Sequence, residues 1–237
     1  MARLGVNIDH IATLREARNT QAPLPLQGAL ICERAGADSI VAHLREDRRH
    51  IKEKDLFLLR SKIRTRLNLE MSAARDVVSV ACKVKPDRAT LVPEKRRELT
   101  TEGGLDVVSN SARIKEVFRK LGKNGIEVSL FIDPDKRQID RTAVLGIGVI
   151  ELHTGRYANA RNAQERKRNL TQIEQAAVYA RSKGIRVSAG HGLDYRNIAA
   201  IAQLTVLEEF NIGYSIICYA LFAGLAQAVR KMKSLVR

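Results

Sequence analysis

The sequence predicts an α/β chain folded as a (β/α)8 TIM barrel with extra helical segments in the βα loops, one domain over residues 1–237. Three observations point there. Short apolar runs of strand type alternate with helix-length amphipathic segments eight times, the pattern of parallel strands joined by crossover helices. A length of 237 residues suits one such barrel. The five histidines, His10, His43, His50, His153 and His191, all fall at or just beyond the carboxyl end of an expected strand. In this fold that end gathers the ligand-binding loops.

Taken in order, the first strand is Leu4–Ile8, with Asn7 and Asp9 flanking its end and His10 following. A helix over Leu26–Ala35 leads to the second strand, Ser39–Ala42, which turns within a few residues into His43-Leu44-Arg45-Glu46-Asp47-Arg48-Arg49-His50. That is a buried strand delivering forked donors and proton-exchanging rings to its own end. The helix Asp55–Arg64 precedes Arg66–Leu69, which ends in Glu70; Ala73–Lys83 precedes Ala89–Val92, which ends near Glu94. Ser111–Leu121 and Asp135–Leu145 flank Glu127–Ile132, and Gly148–Leu152 carries Glu151 and stops at His153. Thr171–Lys183 leads to Arg186–Ala189 and the turn Gly190-His191-Gly192. Tyr195–Leu204 leads to the least distinct strand, Glu208–Ile212, after which Asn211-Ile212-Gly213-Tyr214 opens a last helix, Ser215–Val236. The segment Lys123-Asn124-Gly125-Ile126-Glu127-Val128-Ser129 echoes Lys183-Gly184-Ile185-Arg186-Val187-Ser188, each a helix end with a glycine cap entering a strand. Pro93–Gly104 and Gly155–Asn169 are longer than ordinary βα connections and read as polar binding loops or lids.

Composition narrows the function. Hydrophobic residues make up 45% of the chain, enough for a substantial core. The three cysteines, Cys32, Cys82 and Cys218, are far apart and read as buried apolar residues of a cytoplasmic protein. The N-terminus runs straight into a strand without a leader pattern, and Tyr214–Val229, the most apolar long stretch, is too short to span a bilayer comfortably, so no membrane partner is expected. A net charge of +15 raises nucleic acid as a partner, but aromatics are only 4%, Trp is absent and acids are interspersed among the Lys and Arg residues, so none is expected. Phosphorylated small substrates account for the charge more directly.

Glu70 ends an otherwise apolar strand, where desolvation raises a carboxyl toward the range useful to a base. Gly190-His191-Gly192 and Gly213-Tyr214 follow strands seven and eight, the usual phosphate grip of this fold. The residues alone leave three classes open. A Schiff-base aldolase would need a desolvated lysine, for which Lys95 is the strand-end candidate. A metal-dependent lyase would draw ligands from His10, His43, His191 and Glu70. A nucleic-acid module rests on charge alone.

Longer motifs then resemble one family. They are Gly5-Val6-Asn7-Ile8-Asp9-His10-Ile11-Ala12-Thr13-Leu14-Arg15, the His43–Ile51 stretch, Asn68-Leu69-Glu70-Met71 and Leu91-Val92-Pro93-Glu94-Lys95-Arg96. Further on come Thr100-Thr101-Glu102-Gly103-Gly104-Leu105-Asp106, Val128–Asp133, Glu151-Leu152-His153-Thr154-Gly155, Ala189–Leu193 and Asn211-Ile212-Gly213. In this order they resemble the pyridoxine 5′-phosphate synthases of vitamin B6 biosynthesis.

The resemblance implies condensation of 1-deoxy-D-xylulose 5-phosphate with 3-amino-2-oxopropyl phosphate, releasing pyridoxine 5′-phosphate, inorganic phosphate and water, with no metal or organic cofactor. It implies general bases at His43 and Glu70 and a general acid at His191. Asn7, Arg18, Gly192, Gly213 and Tyr214 match positions that hold the aminoketone phosphate; Asp9, His10, Arg45, His50 and Thr100 match those that hold the deoxyxylulose phosphate. Tyr214 stands where the family pattern has His, and Cys218-Tyr219 replaces a Gly-Arg pair. The family also assembles as a homo-octamer, a tetramer of dimers, and the apolar last helix agrees with a subunit contact.

Overall fold

A computed structural model describes residues 2–94 and 103–236. The strands are β1 (Arg3–Asn7), β2 (Ser39–Leu44), β3 (Arg66–Met71), β4 (Arg88–Leu91), β5 (Glu127–Ile132), β6 (Val149–His153), β7 (Arg186–Gly190) and β8 (Glu209–Ile212). They pair in parallel in sequence order and β8 closes on β1, a closed barrel. The helices are α1 (Asp9–Glu16), α2 (Pro25–Arg34), α3 (Glu53–Lys62), α4 (Arg75–Val84), α5 (Ser111–Gly122), α6 (Lys136–Val144), α7 (Gly155–Ala158), α8 (Ala163–Ser182), α9 (Ile198–Ile201), α10 (Tyr214–Ala223) and α11 (Leu225–Leu235). The expected (β/α)8 barrel with extra helices is therefore what the chain forms.

The departures have physical reasons. Asp9 and His10, expected only to follow the end of the first strand, form the first turn of α1, which buries Ile11, Ala12 and Arg15. Gly155–Asn169 reads as a polar loop because the early turns of α8 bury only Asn169, with Ile173 and the alanines further on supplying the apolar face. In the structure that stretch holds α7 and the start of α8. The single last helix is two, since Gly224 has φ +78° and ends α10. Around α9 only Ile198–Ile201 is helical, within the expected Tyr195–Leu204.

The aliphatic core lies between the barrel wall and the helices, not inside the barrel. Leu4, Val6, Ile40, Ala42, Leu67, Leu69, Leu130, Ile150, Val187 and Phe210 are buried toward the helices. Alternate residues of the same strands face the lumen, and these are largely polar. Thr90 Oγ1 donates to Asn68 at 2.8 Å, Ser39 Oγ to Glu209 at 2.8 Å, and Asn211 Nδ2 to Glu151 at 2.6 Å. At the amino end, Arg88 bridges Glu127 at 2.7 Å and Glu209 at 3.5 Å. A lumen of largely hydrogen-bonded polar groups in place of branched aliphatics, in which Asn68 Nδ2 and Asn211 Oδ1 have no partner among the described residues, carries polar chemistry up to the carboxyl end, where the candidate site lies.

Candidate active site

The ends of β1, β2 and β3 bring four groups together. His43 and Glu70 are register partners across β2 and β3. Asp9, in the first turn of α1, accepts the His43 backbone N–H at 2.8 Å and the Asn7 Nδ2 at 3.0 Å, and Asn7 Nδ2 also reaches Glu70 at 3.4 Å. Ligand atoms of Asp9, His43 and Glu70 all lie within 4.8 Å of one another. Burial pushes the Asp9 carboxyl up to about 7 against the pull of its hydrogen bonds. Burial first, then the Glu151 and Asp9 charges, holds Glu70 well above the ordinary carboxyl range. His43 goes the other way: burial, with His50 and Arg45 nearby, lowers it to about 3. Its ring is neutral at physiological pH, so the 4.0 Å approach of its Nε2 to Glu94 is not an ion pair. That Nε2 is buried and has no hydrogen-bond partner among the described residues, which leaves it open to a ligand.

The β2–α3 loop is organised by Glu94, which accepts the Glu46 N–H at 2.8 Å and lies 3.4 Å from Arg45 Nε, while Asp47 lies 3.3 Å from the same atom. His50 caps this loop, its Nδ1 accepting the Ile51 N–H at 2.8 Å, which leaves Nε2 as the protonated nitrogen of the neutral ring. Its ring centroid is 6.1 Å from that of His43. The loop is tied to α1 by a buried pair: Arg15 donates to both oxygens of Asp55 at 2.7 and 2.8 Å and to the His50 carbonyl at 2.9 Å.

On the opposite rim, His191 and Gly192 both sit at positive φ, 81° and 78°. A histidine in that region is strained unless its surroundings fix it. Thr154 Oγ1 does so, donating to the Gly190 and His191 carbonyls at 2.8 and 2.6 Å, and Asn197 Nδ2 donates to the Gly192 carbonyl at 3.0 Å. The His191 ring meets His153 edge-on at 4.9 Å, and His153 Nδ1 lies 3.0 Å from Asp133. Burial and the neighbouring His153 lower His191 to about 4. At β8, a Cβ on Gly213 would come within 2.8 Å of Asn7 Cβ, so only glycine lets the turn into α10 rest on the end of β1. Tyr214, first residue of α10, is exposed and lies edge-on to His10 at 5.1 Å.

Thus Asn7, Asp9, His10, His43, Arg45, His50, Glu70, His191, Gly192, Gly213 and Tyr214 all lie at the carboxyl rim. Arg18 is exposed in the turn after α1, and among the described residues no contact ties it to the cluster. Thr100, Lys95 and most of Pro93–Gly104 lie outside the described residues. Sequence reasoning did not single out Arg15, Asp133 or Thr154, whose signals were present within quoted motifs but without any periodic or charge pattern to mark them.

The whole chain can now be compared with known proteins. A family model described as pyridoxal phosphate biosynthesis protein PdxJ matches residues 4–237. A protein of Synechococcus sp. named pyridoxine 5′-phosphate synthase is 54% identical over 233 residues, 98% of each chain. The chain belongs to the PdxJ family. A Coxiella burnetii protein of the same name is 52% identical over all of this chain and 98% of its own length. Among solved structures, a phosphoribosyl anthranilate isomerase superposes with a TM-score of 0.63 at 13% identity, covering 100% of this chain and 98% of its own, which speaks for the barrel alone. For a PdxJ protein the buried acids, neutral imidazoles and glycine turns of one rim are the parts to be explained.

The acids have a cost in stability. Burial raises Glu151 to about 7, although the Asn211 amide opposes this. Between the ordinary carboxyl value and 7 the folded chain holds a proton that the unfolded chain has lost, so this group withdraws stability as pH rises through that window. Glu151→Gln removes the effect, and urea melts at pH 5 and pH 8 should show the variant gaining up to about 3 kcal/mol over wild type at the higher pH. Parallel pH dependence in the two proteins would contradict this.

Proposed function

We infer that this chain is a pyridoxine 5′-phosphate synthase, joining 1-deoxy-D-xylulose 5-phosphate to 3-amino-2-oxopropyl phosphate and releasing pyridoxine 5′-phosphate, inorganic phosphate and water. The observation that carries the reading is identity of 52–54% over nearly the whole length to relatives of that name. The roles of individual residues are our proposal, resting on the rim geometry.

His43 is a general base: neutral, with a free buried Nε2, it takes a proton without first having to lose one. Glu70 is a second base, whose burial makes its carboxyl hold a proton more tightly than an ordinary one. Seating an ammonium group beside Glu70 and Asp9 favours their ionised forms, so substrate binding readies the base as it brings the amine in. His191, held in a strained turn and lowered to about 4 in the free protein, gains its proton once the substrate phosphate anions lie beside it and then donates that proton to departing water or phosphate. Gly192, Gly213, Tyr214 and Asn7 hold the aminoketone phosphate against backbone amides at the start of α10, with Arg18 contributing from α1's end. Arg45, His50, His10, Asp9 and Thr100 hold the deoxyxylulose phosphate. Binding two phosphates at fixed separation turns a bimolecular condensation into a local one.

One observation favours a second reading: Asp9, His43 and Glu70 present ligand atoms close enough to chelate a divalent cation. Acid–base catalysis predicts that exhaustive treatment with a chelator leaves product formation unchanged. A loss restored by one added metal would favour the lyase-type alternative.

The family's homo-octamer, a tetramer of dimers, is our reading of the assembly, supported by α10, where Leu221 and Phe222 are exposed at 68% and 93%. Among the described residues no helix is long and apolar enough to cross a membrane. We place the protein in the cytoplasm, in keeping with three free cysteines and phosphorylated metabolites as substrates.

A further inference from the structure

We propose that a cavity of about 810 Å³ beside His191, walled by Arg156, Arg161 and Arg168 and floored by His153, is a third anion site that receives the inorganic phosphate released by the reaction. The proposal rests on the synthase reading for its occupant but not for its chemistry. The cavity lies beyond β6 and β7 on the α7–α8 side, whereas the two substrate phosphates are assigned to the β2 loop and the β7–β8 turns.

Four features point to an anion. Among the described residues, none of the three arginines has a salt bridge, whereas Arg48, Arg66, Arg88, Arg113 and Arg186 each pair with an acid. Second, of the wall residues Arg161 precedes α8 and Arg168 sits in its second turn, near the amino-terminal end whose dipole favours an anion over a cation. That placement costs stability in the free protein and is offset by an anion. Third, His153 is buried to 6% exposure, its Nδ1 engaged with Asp133, and its Nε2 has no partner among the described residues. A Cβ on Gly155 would stand 2.5 Å from that Nε2, so glycine keeps the wall beside the nitrogen bare. Fourth, the two acids that line the cavity are already engaged, Asp133 with His153 and Glu165 with the Arg161 N–H at 3.0 Å. Three guanidinium groups against two carboxylates, one of them, Asp133, within the electrostatic reach of Arg156, leave the wall net positive and favour an oxyanion, for which arginine forks are suited. His191, assigned above as the general acid, lines this cavity, so phosphate that takes its proton has the basic wall directly beside it.

The test is inorganic phosphate titrated into the full-length protein by calorimetry at constant ionic strength, alongside its product-inhibition pattern. Wild type is expected to show a noncompetitive component, and Arg161→Gln/Arg168→Gln should weaken that component about tenfold, as loss of charge-assisted hydrogen bonds does, with the competitive component within about twofold. Arg166→Gln/Lys167→Gln removes the same charge from residues outside the wall and should change neither by more than about twofold. The proposal is overturned if both double variants weaken phosphate equally, if only competitive inhibition is present, or if the Arg161/Arg168 variant raises a substrate KM in step. Calorimetry reads the site without turnover, so its failure and that of the synthase reading are separable.

Discussion

His43→Ala and Glu70→Gln each lower the rate of pyridoxine 5′-phosphate formation by roughly 10²–10⁴-fold while leaving the fold intact. The two side chains are neighbours on adjacent strands, yet burial drives their proton affinities in opposite directions, lowering the imidazole's and raising the carboxyl's. A site that must take protons from an amine and from carbon, and return them to leaving oxygens, needs groups with distinct proton affinities in reach of one substrate. Glutamine preserves the size of Glu70 and its contact with Asn7 but cannot cycle a proton, so the loss should appear in kcat more than in KM. Far-ultraviolet circular dichroism and thermal melts on the same preparations check folding. Near-normal turnover in both variants would remove these residues from the chemistry.

Arg15→Met produces the largest structural effect. Arg15 is 1% exposed and grips both oxygens of Asp55, itself 3% exposed. Asp55 also accepts the Lys52 N–H at 2.9 Å and so closes the start of α3. Removing the guanidinium leaves a buried carboxylate with half its partners, a cost of about 3–5 kcal/mol. For a chain of this size that lowers the melting temperature by about 10 °C or more. Since Arg15 also holds the His50 carbonyl, KM for the deoxyxylulose phosphate should rise as well. Replacing Asp55 by Asn in the same protein should recover part of the stability, because the stranded charge is then gone. A single variant as stable as wild type would show the pair to be dispensable.

The strands were legible because each is an apolar run bounded by turn residues, and the histidines marked which end carries the chemistry. Less legible was what faces inward. Polar residues alternating with apolar ones in Arg66–Met71 could equally mean a half-exposed strand, and only barrel closure turns that face into a buried lumen. α1 escaped notice because a helix opening on Asp9-His10 and burying only one side shows little periodicity over eight residues. The partners that position the site were hidden for a different reason. Arg15 and Asp55 are 40 residues apart, and Thr154 and His191 37, and no local pattern relates them. Motif likeness supplied the proposed reacting groups but said nothing of the strained His191 backbone or of the basic cavity at α8.

The measurement that bears most directly on the account supplies purified protein with 1-deoxy-D-xylulose 5-phosphate and 3-amino-2-oxopropyl phosphate and quantifies pyridoxine 5′-phosphate and inorganic phosphate in the same samples over time. The account predicts that both accumulate together in equal amounts. Folded protein that forms no pyridoxine 5′-phosphate, or that releases phosphate without it, would contradict it.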